Sequence, residues 1–268
     1  MAERAARAAP GAVLTEDLPR EKALMAWALA AVAGFVDAVG YLTLRHLFTA
    51  HMSGNSARLG VYLGQFEPWR AIPMVSAVLL FVFGIGVATT LAEWGSRRGI
   101  RSTTALMLGP QALILVVFMA YGAIATGANG SVSDHTGRGF YTLAALAIIS
   151  IGFQICALQR VAGERARTAF VSGMLAKFTQ ETVNWLFWLH DGDRRPADSY
   201  LDKILKGGSR SQSARHAILF GGIWCFYLAG AVGGSYFHSL WRLWALALPI
   251  AGLAAAVVAD LLRPVQAT

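Results

Sequence analysis

The sequence has few charged residues and almost no cysteine. Asp, Glu, Lys and Arg make up 14% of its 268 residues, whereas soluble domains carry about 25%. Its two cysteines, Cys156 and Cys225, lie in separate apolar runs, which argues against a disulfide framework or a cysteine metal site. Signatures of zinc peptidases, serine hydrolases and phosphate-loop proteins are also missing. We therefore predict no enzymatic activity, no cofactor and no metal.

Long apolar runs dominate what is present. Hydrophobic residues account for 56% of the chain, and several runs reach the roughly 20 residues that a helix needs to cross a bilayer. Because every backbone group must be paired inside lipid, these runs predict an all-α polytopic membrane protein. Six strong spans are expected, and two further segments, 50–65 and 168–190, are helical but more polar. The expected spans are 23–44, 71–93, 103–125, 139–159, 214–238 and 243–262.

The positive charge predicts an orientation. The net charge is +8, and short clusters between spans favour cytoplasmic loops over nucleic-acid binding. If the six strong segments span and the polar two dip in and return, 17 of 23 basic residues are cytoplasmic and 4 are external. Eight full spans would place 97–101 and 160–167 outside, against the positive-inside rule. We therefore prefer six spans, with both termini cytoplasmic.

An internal repeat is visible in short matches. "GFVDAVGYL" (34–42) matches "GFQICALQR" (152–160) at an offset of 118, and "MSGNSARLG" (52–60) matches "VSGMLAKFT" (171–179) at 119. "FVFGIGVA" (81–88) resembles "FYLAGAVGG" (226–234) at about 145. Each half then reads as span, polar segment, span, span. Two halves of three spans face opposite ways, which predicts an inverted 3+3 repeat with two broken or re-entrant polar helices.

The repeat divides the chain into regions. We expect a disordered cytoplasmic tail at 1–22, a first membrane repeat at 23–125 and an external linker at 126–138. The second membrane repeat covers 139–262, includes a cytoplasmic insertion at 191–214, and is followed by a tail at 263–268.

The segment "GFVDAVGYLTLRHLFTAHMSGNSARLG" (34–60) resembles the signature of the YoaK-like family of bacterial membrane proteins, catalogued as domain of unknown function 1275. The resemblance extends over about residues 23–262 and is strongest at the Gly-x-x-Asp-Ala and Met-Ser-Gly-Asn motifs. It implies an inner-membrane protein with about six spans. It implies no substrate and no activity.

Asp37 is the main functional candidate. A carboxylate in mid-span costs about 3 kcal/mol or more, so it should face protein or water. It is interpreted either as a proton or cation coupling site, with Tyr41 on the same helix side, or as a structural acceptor for a broken-helix backbone. Ile155 stands at the equivalent position of the second half.

Two basic residues occupy equivalent places in the polar segments. Arg58 and Lys177 would bracket an anionic group of a substrate, or else would snorkel to headgroups, with Lys177 paired to Glu181. The remaining candidates share small size or hydrogen-bonding capacity and line either a cavity or a tight helix interface. They are Ser53, Gly54, Asn55, Gln154, Ser172 and Gly173.

These features favour a secondary transporter or permease for a small polar or anionic solute, held between the two repeats. A membrane assembly or regulatory protein that docks through 191–214 is the alternative, and a membrane-embedded enzyme is less favoured. Membrane lipids and an unidentified small solute are the expected partners. Homo-oligomerisation is left open, and no nucleic acid is expected.

Overall fold

The computed structural model describes residues 19–126, 131–132, 137–162, 170–191 and 212–262. Most of the predicted tail at 1–22, most of the 126–138 linker, the bulk of the 191–214 insertion and the 263–268 tail lie outside the described residues.

The described residues are helical, as predicted. The α-helices are α1 (Arg20–Thr43), α2 (Met52–Gly64), α3 (Pro68–Arg97), α4 (Thr103–Ala125), α5 (Arg138–Ala162), α6 (Phe170–Asp191), α7 (Gln212–Trp241) and α8 (Ala247–Leu262), and a 3-10 helix (Arg242–Leu246) joins α7 to α8. The two polar segments form α2 and α6. Each apolar run ends where a turn or a polar cluster follows, so the helix bounds lie close to the predicted spans.

Five segments are long and apolar enough to cross a membrane by length and composition. They are Arg20–Thr43, Pro68–Arg97, Thr103–Ala125, Arg138–Val161 and Gln212–Leu262. The last contains both α7 and α8, because the chain breaks at Arg242, whose φ of 53° no α-helix accommodates. At 1.5 Å per residue, 51 unbroken residues would reach about 76 Å, far more than a bilayer.

Contacts between helices fix their directions. We call the side at which α1 begins the near face and the side at which it ends the far face. Trp27, early in α1, stacks on Phe226 and donates its indole N–H to the Leu219 carbonyl oxygen at 3.1 Å. Phe35, later in α1, stacks on Phe237. Since both sets of residue numbers rise together, α7 runs parallel to α1.

The fifth helix runs against the first. The amide of Gln154, late in α5, donates to the Leu29 carbonyl oxygen early in α1 at 2.6 Å. At the other end, the Val132 backbone N–H, shortly before α5, donates to the Thr43 carbonyl oxygen at 3.0 Å. α5 therefore runs from the far face to the near face.

Three further contacts fix the directions of the third, fourth and eighth helices. Arg160, at the end of α5, donates to Ser96 near the end of α3 at 3.1 Å, so these two helices are parallel. The backbone N–H of Ala105, in the first turn of α4, donates to the Asp260 carboxylate near the end of α8 at 2.8 Å. Since Leu243 packs on Gly122 at the opposite end of α4, α8 runs against α4. Thus α1, α4 and α7 run from near to far, and α3, α5 and α8 return.

Glycines allow two helix pairs to approach closely. A Cβ on Gly34 would collide with the Tyr227 carbonyl group, and a Cβ on Gly230 would collide with the Ala31 backbone, so α1 and α7 pack backbone to backbone. A Cβ on Gly152 would lie 2.6 Å from the Gly84 carbonyl carbon, which gives α3 and α5 the same type of contact. In lipid such contacts replace the hydrophobic effect as the force between helices.

Candidate functional site

The loop of residues 44–51 folds back along α1. Helix α1 ends with the Leu44 N–H donated to the Gly40 carbonyl oxygen at 2.8 Å. Arg45 and His46 then adopt φ values of 50° and 69°, in the left-handed region that is uncommon for side chains with a Cβ. The loop packs so closely that a Cβ on Gly40 would lie 2.8 Å from the Thr49 methyl carbon. α2 therefore begins at the level of Asp37, about 9 Å inside the end of α1.

Asp37 lies at the centre of a buried polar network. The residue is 5% exposed. Its Oδ1 accepts the Thr49 hydroxyl at 2.5 Å and the Ala50 backbone N–H at 2.9 Å. Its Oδ2 accepts the Tyr227 hydroxyl at 2.6 Å and lies 2.9 Å from His51 Nδ1. One carboxylate thus joins α1, the 44–51 loop and α7.

These partners explain why Asp37 tolerates burial as a carboxylate. An isolated ion costs several kcal/mol when it leaves water, and only well-placed donors and an opposite charge compensate for that cost. Three donors supply the hydrogen bonds, and the imidazole supplies the opposite charge when it is protonated; all four groups come from two elements beyond the helix of Asp37. These contacts stabilise the ionised form of the Asp37 carboxylate, and they hold the 44–51 loop in its folded-back position.

His51 is the titratable group at the edge of the network. Its side chain is 34% exposed, against 7% for that of Asp37. The hydrogen-bonding contact with the Asp37 carboxylate raises the pKa of His51, because the carboxylate stabilises the imidazolium, and this outweighs the opposing effect of burial. The pair therefore retains a proton to higher pH than a free imidazole does.

Aromatic rings connect the loop to its neighbours. The Tyr41 ring lies 4.8 Å from His46 and 5.0 Å from Phe48, centroid to centroid. His51 meets Phe48 at 5.6 Å and Tyr227 at 5.9 Å, both edge-on. Tyr41, a predicted site residue, thus supports the loop through ring packing.

The first polar helix brings three other predicted residues to this loop. Asn55 is fully buried, and its amide donates to the Phe48 carbonyl oxygen at 2.8 Å. Arg58 donates to the His46 carbonyl oxygen at 2.9 Å. Gly54 faces the Phe48 ring, which an added Cβ would approach to 3.2 Å. Ser53, by contrast, is exposed.

The second polar helix places its candidates elsewhere. Ser172 is exposed and Gly173 half-buried. The Lys177 ammonium lies 5.3 Å from the centroid of the Phe220 ring, and a Glu181 carboxylate oxygen lies 3.3 Å from His216 Nδ1. In the part of the chain that the structure describes, α6 packs on α7 and α2 packs on α3. The candidates of the two polar helices thus form separate groups.

Gln154 belongs to a third group, in the core. Its carbonyl oxygen accepts the Gln111 amide at 2.5 Å, while its own amide reaches Leu29 in α1. Both glutamine side chains are fully buried. They link α4, α5 and α1 by hydrogen bonds, which is a positioning arrangement between spans.

Sequence reasoning missed Thr49, His51 and Tyr227 as partners of Asp37. His51 was weighed only as half of a metal pair with His46, and Thr49 lies between two predicted segments. A usable signal existed at Tyr227, since a carboxylate in a span needs a donor from another span.

Comparison with known proteins gives a family and one curated relative. A family described as "Protein of unknown function (DUF1275)" matches residues 25–259. The chain is also 29% identical over 160 residues to the "UPF0700 transmembrane protein YoaK" of Bacillus subtilis (strain 168), covering 60% of this chain and 67% of that protein. No solved structure matches the chain.

Proposed function

The chain belongs to the DUF1275 family of integral membrane proteins, and since that name assigns no activity, we propose a function from the geometry: a secondary transporter for a small anionic or polar solute. One observation carries the proposal. The two halves of the chain contain the same order of elements, and equivalent helices run in opposite directions.

Helix directions support the inverted repeat. In the first half the elements are α1 to α4, and in the second they are α5 to α8. The contacts given above set α1 against α5, α3 against α7 and α4 against α8. A half-turn about an axis in the membrane plane produces this relation, and it is a common plan in secondary transporters.

The glycine contacts support the same equivalence residue by residue. Gly34 and Gly152 correspond at an offset of 118, and Gly84 and Gly230 at 146. Gly34 and Gly230 lie in the α1–α7 interface, whereas Gly152 and Gly84 lie in the α5–α3 interface. Each half therefore packs its first helix on the third helix of the other half. Chance matches in a sequence rich in glycine and alanine would not reproduce this exchange of partners.

The polar helices are equivalent in the same sense. α2 packs on α3 and α6 packs on α7. The 44–51 loop returns about 9 Å along α1 before α2 begins, and α3 starts again at the far face. This path favours a re-entrant α2 over an α2 that crosses the membrane fully. In inverted-repeat transporters the substrate site lies near the membrane midplane between the repeats, where polar helices that end inside the membrane can line it.

The charge at equivalent positions favours an anionic solute. Arg58 in α2 and Lys177 in α6 correspond at an offset of 119, so each polar helix carries one cation. Arg58 uses one guanidinium nitrogen to hold the His46 carbonyl oxygen, and a guanidinium has further donors to offer a carboxylate or phosphate.

Basic residues also favour an orientation. Those at the near face are Arg20, Lys22, Arg97, Arg98, Arg101, Arg160 and Arg215, and those at the far face are Arg45, Arg70, Arg138 and Arg242. Because basic residues are enriched on the cytoplasmic side of membrane proteins, we assign the near face, and with it both termini, to the cytoplasm. The membrane we propose is the inner membrane.

Transport in reconstituted vesicles tests the proposal. Purified protein is first screened by thermal shift against acetate, glutamate, phosphate, sulfate, glycine and uracil, because a ligand that binds the folded state raises its stability. Radiolabelled counterflow of the same compounds is then measured in proteoliposomes. We expect at least one anion to give saturable stabilisation and counterflow, with weaker counterflow after Arg58→Gln.

A matched control is Arg70→Gln, which removes a far-face cation that pairs locally with Glu67 at 2.9 Å. It should leave counterflow unchanged. If folded wild-type protein gives neither stabilisation nor counterflow with any of these compounds, the transporter proposal fails. A co-purifying protein partner in that case would favour the assembly role instead.

A further inference from the structure

The ion that drives transport can be argued from the Asp37 network, in an inference that rests on the proposed transporter. We infer that the coupling ion is a proton, that it binds the pair formed by Asp37 and His51, and that it reaches this pair from the far face.

The geometry gives the pair one route to solvent. Oδ1 of Asp37 is occupied by Thr49 and Ala50, both buried. On Oδ2, His51 combines contact with the carboxylate and 34% exposure of its side chain with an imidazole that can take up a proton. Since His51 belongs to the loop that follows the end of α1, the exposed part of its imidazole is reached from the far face.

Proton uptake by this pair keeps its contacts. Nδ1 of His51 lies 2.9 Å from Oδ2 of Asp37, and in the neutral tautomer that keeps its proton on Nδ1, Nε2 carries a lone pair. A hydronium ion transfers its proton to Nε2 and leaves as water, which changes the charge of the pair from −1 to 0. Loss of the proton reverses the step. Since neither state requires a donor to face a donor, the Thr49, Ala50 and Tyr227 contacts persist in both.

Asp37 favours the protonated state of His51. Asp37 of α1 and Tyr227 of α7 contact the imidazole itself, whereas Tyr41 of α1 and Arg58 of α2 contact His46 in the loop that carries His51. Asp37 is the group among them in direct polar contact with the imidazole, and that contact raises the pKa of His51. Arg58 is held by the carbonyl oxygen of His46, twelve residues before it in the chain.

Proton binding is thereby linked to the position of the first polar helix. His51 immediately precedes α2, whereas Asp37 and Tyr227 belong to the α1–α7 pair. A protonated His51 strengthens the attraction between these two bodies, and a neutral one weakens it. The proton therefore favours the state in which the loop lies folded back on α1.

The second half lacks an equivalent pair. Ile155 corresponds to Asp37 at an offset of 118, and Phe81 corresponds to Tyr227 at the offset of 146 that also pairs Gly84 with Gly230. Within the repeat, the proposed proton site is therefore confined to the first half and to the face that its loop adjoins.

An NMR titration measures the proton affinity of His51 directly, because pH is the only variable and no solute is added. The six histidines are labelled with 15N in the imidazole ring, and the His51 resonance is assigned by its loss in His51→Gln. We expect His51 to titrate above 6.5, and Asp37→Asn to lower its proton affinity by about tenfold, one pKa unit. A His51 that titrates at its ordinary value and does not respond to Asp37→Asn overturns the inference.

Two further variants test the same site if the Asp37→Asn protein does not fold. Tyr227→Phe removes a donor from the same carboxylate oxygen, so the carboxylate attracts a proton more strongly and the His51 titration should move upward, opposite to Asp37→Asn. Tyr236→Phe, on an exposed side chain of the same helix, should leave it unchanged. A downward shift of the His51 titration in Tyr227→Phe would contradict the proposal that Asp37 and His51 bind the proton together.

Transport separates this inference from the proposed function. Counterflow of acetate, glutamate, phosphate and sulfate at equal pH requires no net proton movement, whereas accumulation against a gradient requires a driving ion. We expect an acidic far-face compartment to drive accumulation, and His51→Gln to abolish it while counterflow persists. His46→Gln, on the exposed histidine of the same loop, should retain both. If the wild-type protein shows counterflow but no response to the pH gradient, proton coupling is refuted and the transporter proposal stands. If it shows no counterflow, the transporter proposal itself is refuted.

Discussion

Replacement of Asp37 by alanine removes the acceptor that joins α1, the 44–51 loop and α7. The change leaves the Thr49 hydroxyl, the Ala50 N–H and the Tyr227 hydroxyl without their acceptor. An unsatisfied buried donor costs about 1–3 kcal/mol, while removing a carboxylate from an apolar environment recovers about 3 kcal/mol. The balance is a loss of about 3 kcal/mol in the free energy of unfolding.

Equilibrium unfolding in mixed micelles of a mild detergent and sodium dodecyl sulfate measures this loss. Tryptophan fluorescence reports the transition, since the chain has eight tryptophans, of which Trp27 lies in the α1–α7 interface. Asp37→Asn keeps an acceptor for Thr49 and Ala50, so it should lose about 1 kcal/mol. Equal stability of Asp37→Ala and wild type would refute the account of this network.

Three further predictions concern packing, capping and pH. Gly152→Ala forces a Cβ to within 2.6 Å of the α3 backbone and should cost about 1–3 kcal/mol in thermal unfolding, whereas Gly86→Ala, with no atom within 4 Å, should not destabilise. Asp260→Ala removes the acceptor for the first turn of α4 and should cost about 1 kcal/mol in the same assay; an unchanged midpoint would contradict that role. The raised pKa of His51 means that its stabilisation of the loop is complete below pH 6.5 and is lost as pH rises through the folded-state pKa. Hydrogen exchange of residues 44–51, corrected for intrinsic rates, should therefore increase with pH in wild type and much less in His51→Gln.

The helices could be predicted from sequence because lipid leaves few alternatives. Apolar runs of about 20 residues must be helical, and the predicted 103–125 span coincides with α4. The polar helices were visible because Ser, Asn and Arg interrupt the pattern at 50–65. The break at Arg242 was predicted only as a boundary between two spans, since nothing local in the sequence specifies its positive φ.

The site was less predictable because its partners are distant in the chain. Asp37 was identified by the cost of a buried carboxylate, but Tyr227 is 190 residues away, and no periodicity relates the two. The position of Thr49 and His51 depends on the reversal at Arg45 and His46, a conformation that these residue types rarely adopt. The proposed bracketing of a substrate by Arg58 and Lys177 stays a prediction.

Sided labelling of three single cysteines tests the opposed halves most directly. In a chain with Cys156 and Cys225 replaced, cysteines at positions 46, 66 and 98 are exposed to an impermeant maleimide from either side of the membrane. The account predicts that 46 and 66 react from one side and 98 from the other, because α2 re-enters and α3 then crosses. Reaction of 46 and 98 from the same side, with 66 opposite, would mean that α2 crosses fully and would contradict the inverted repeat.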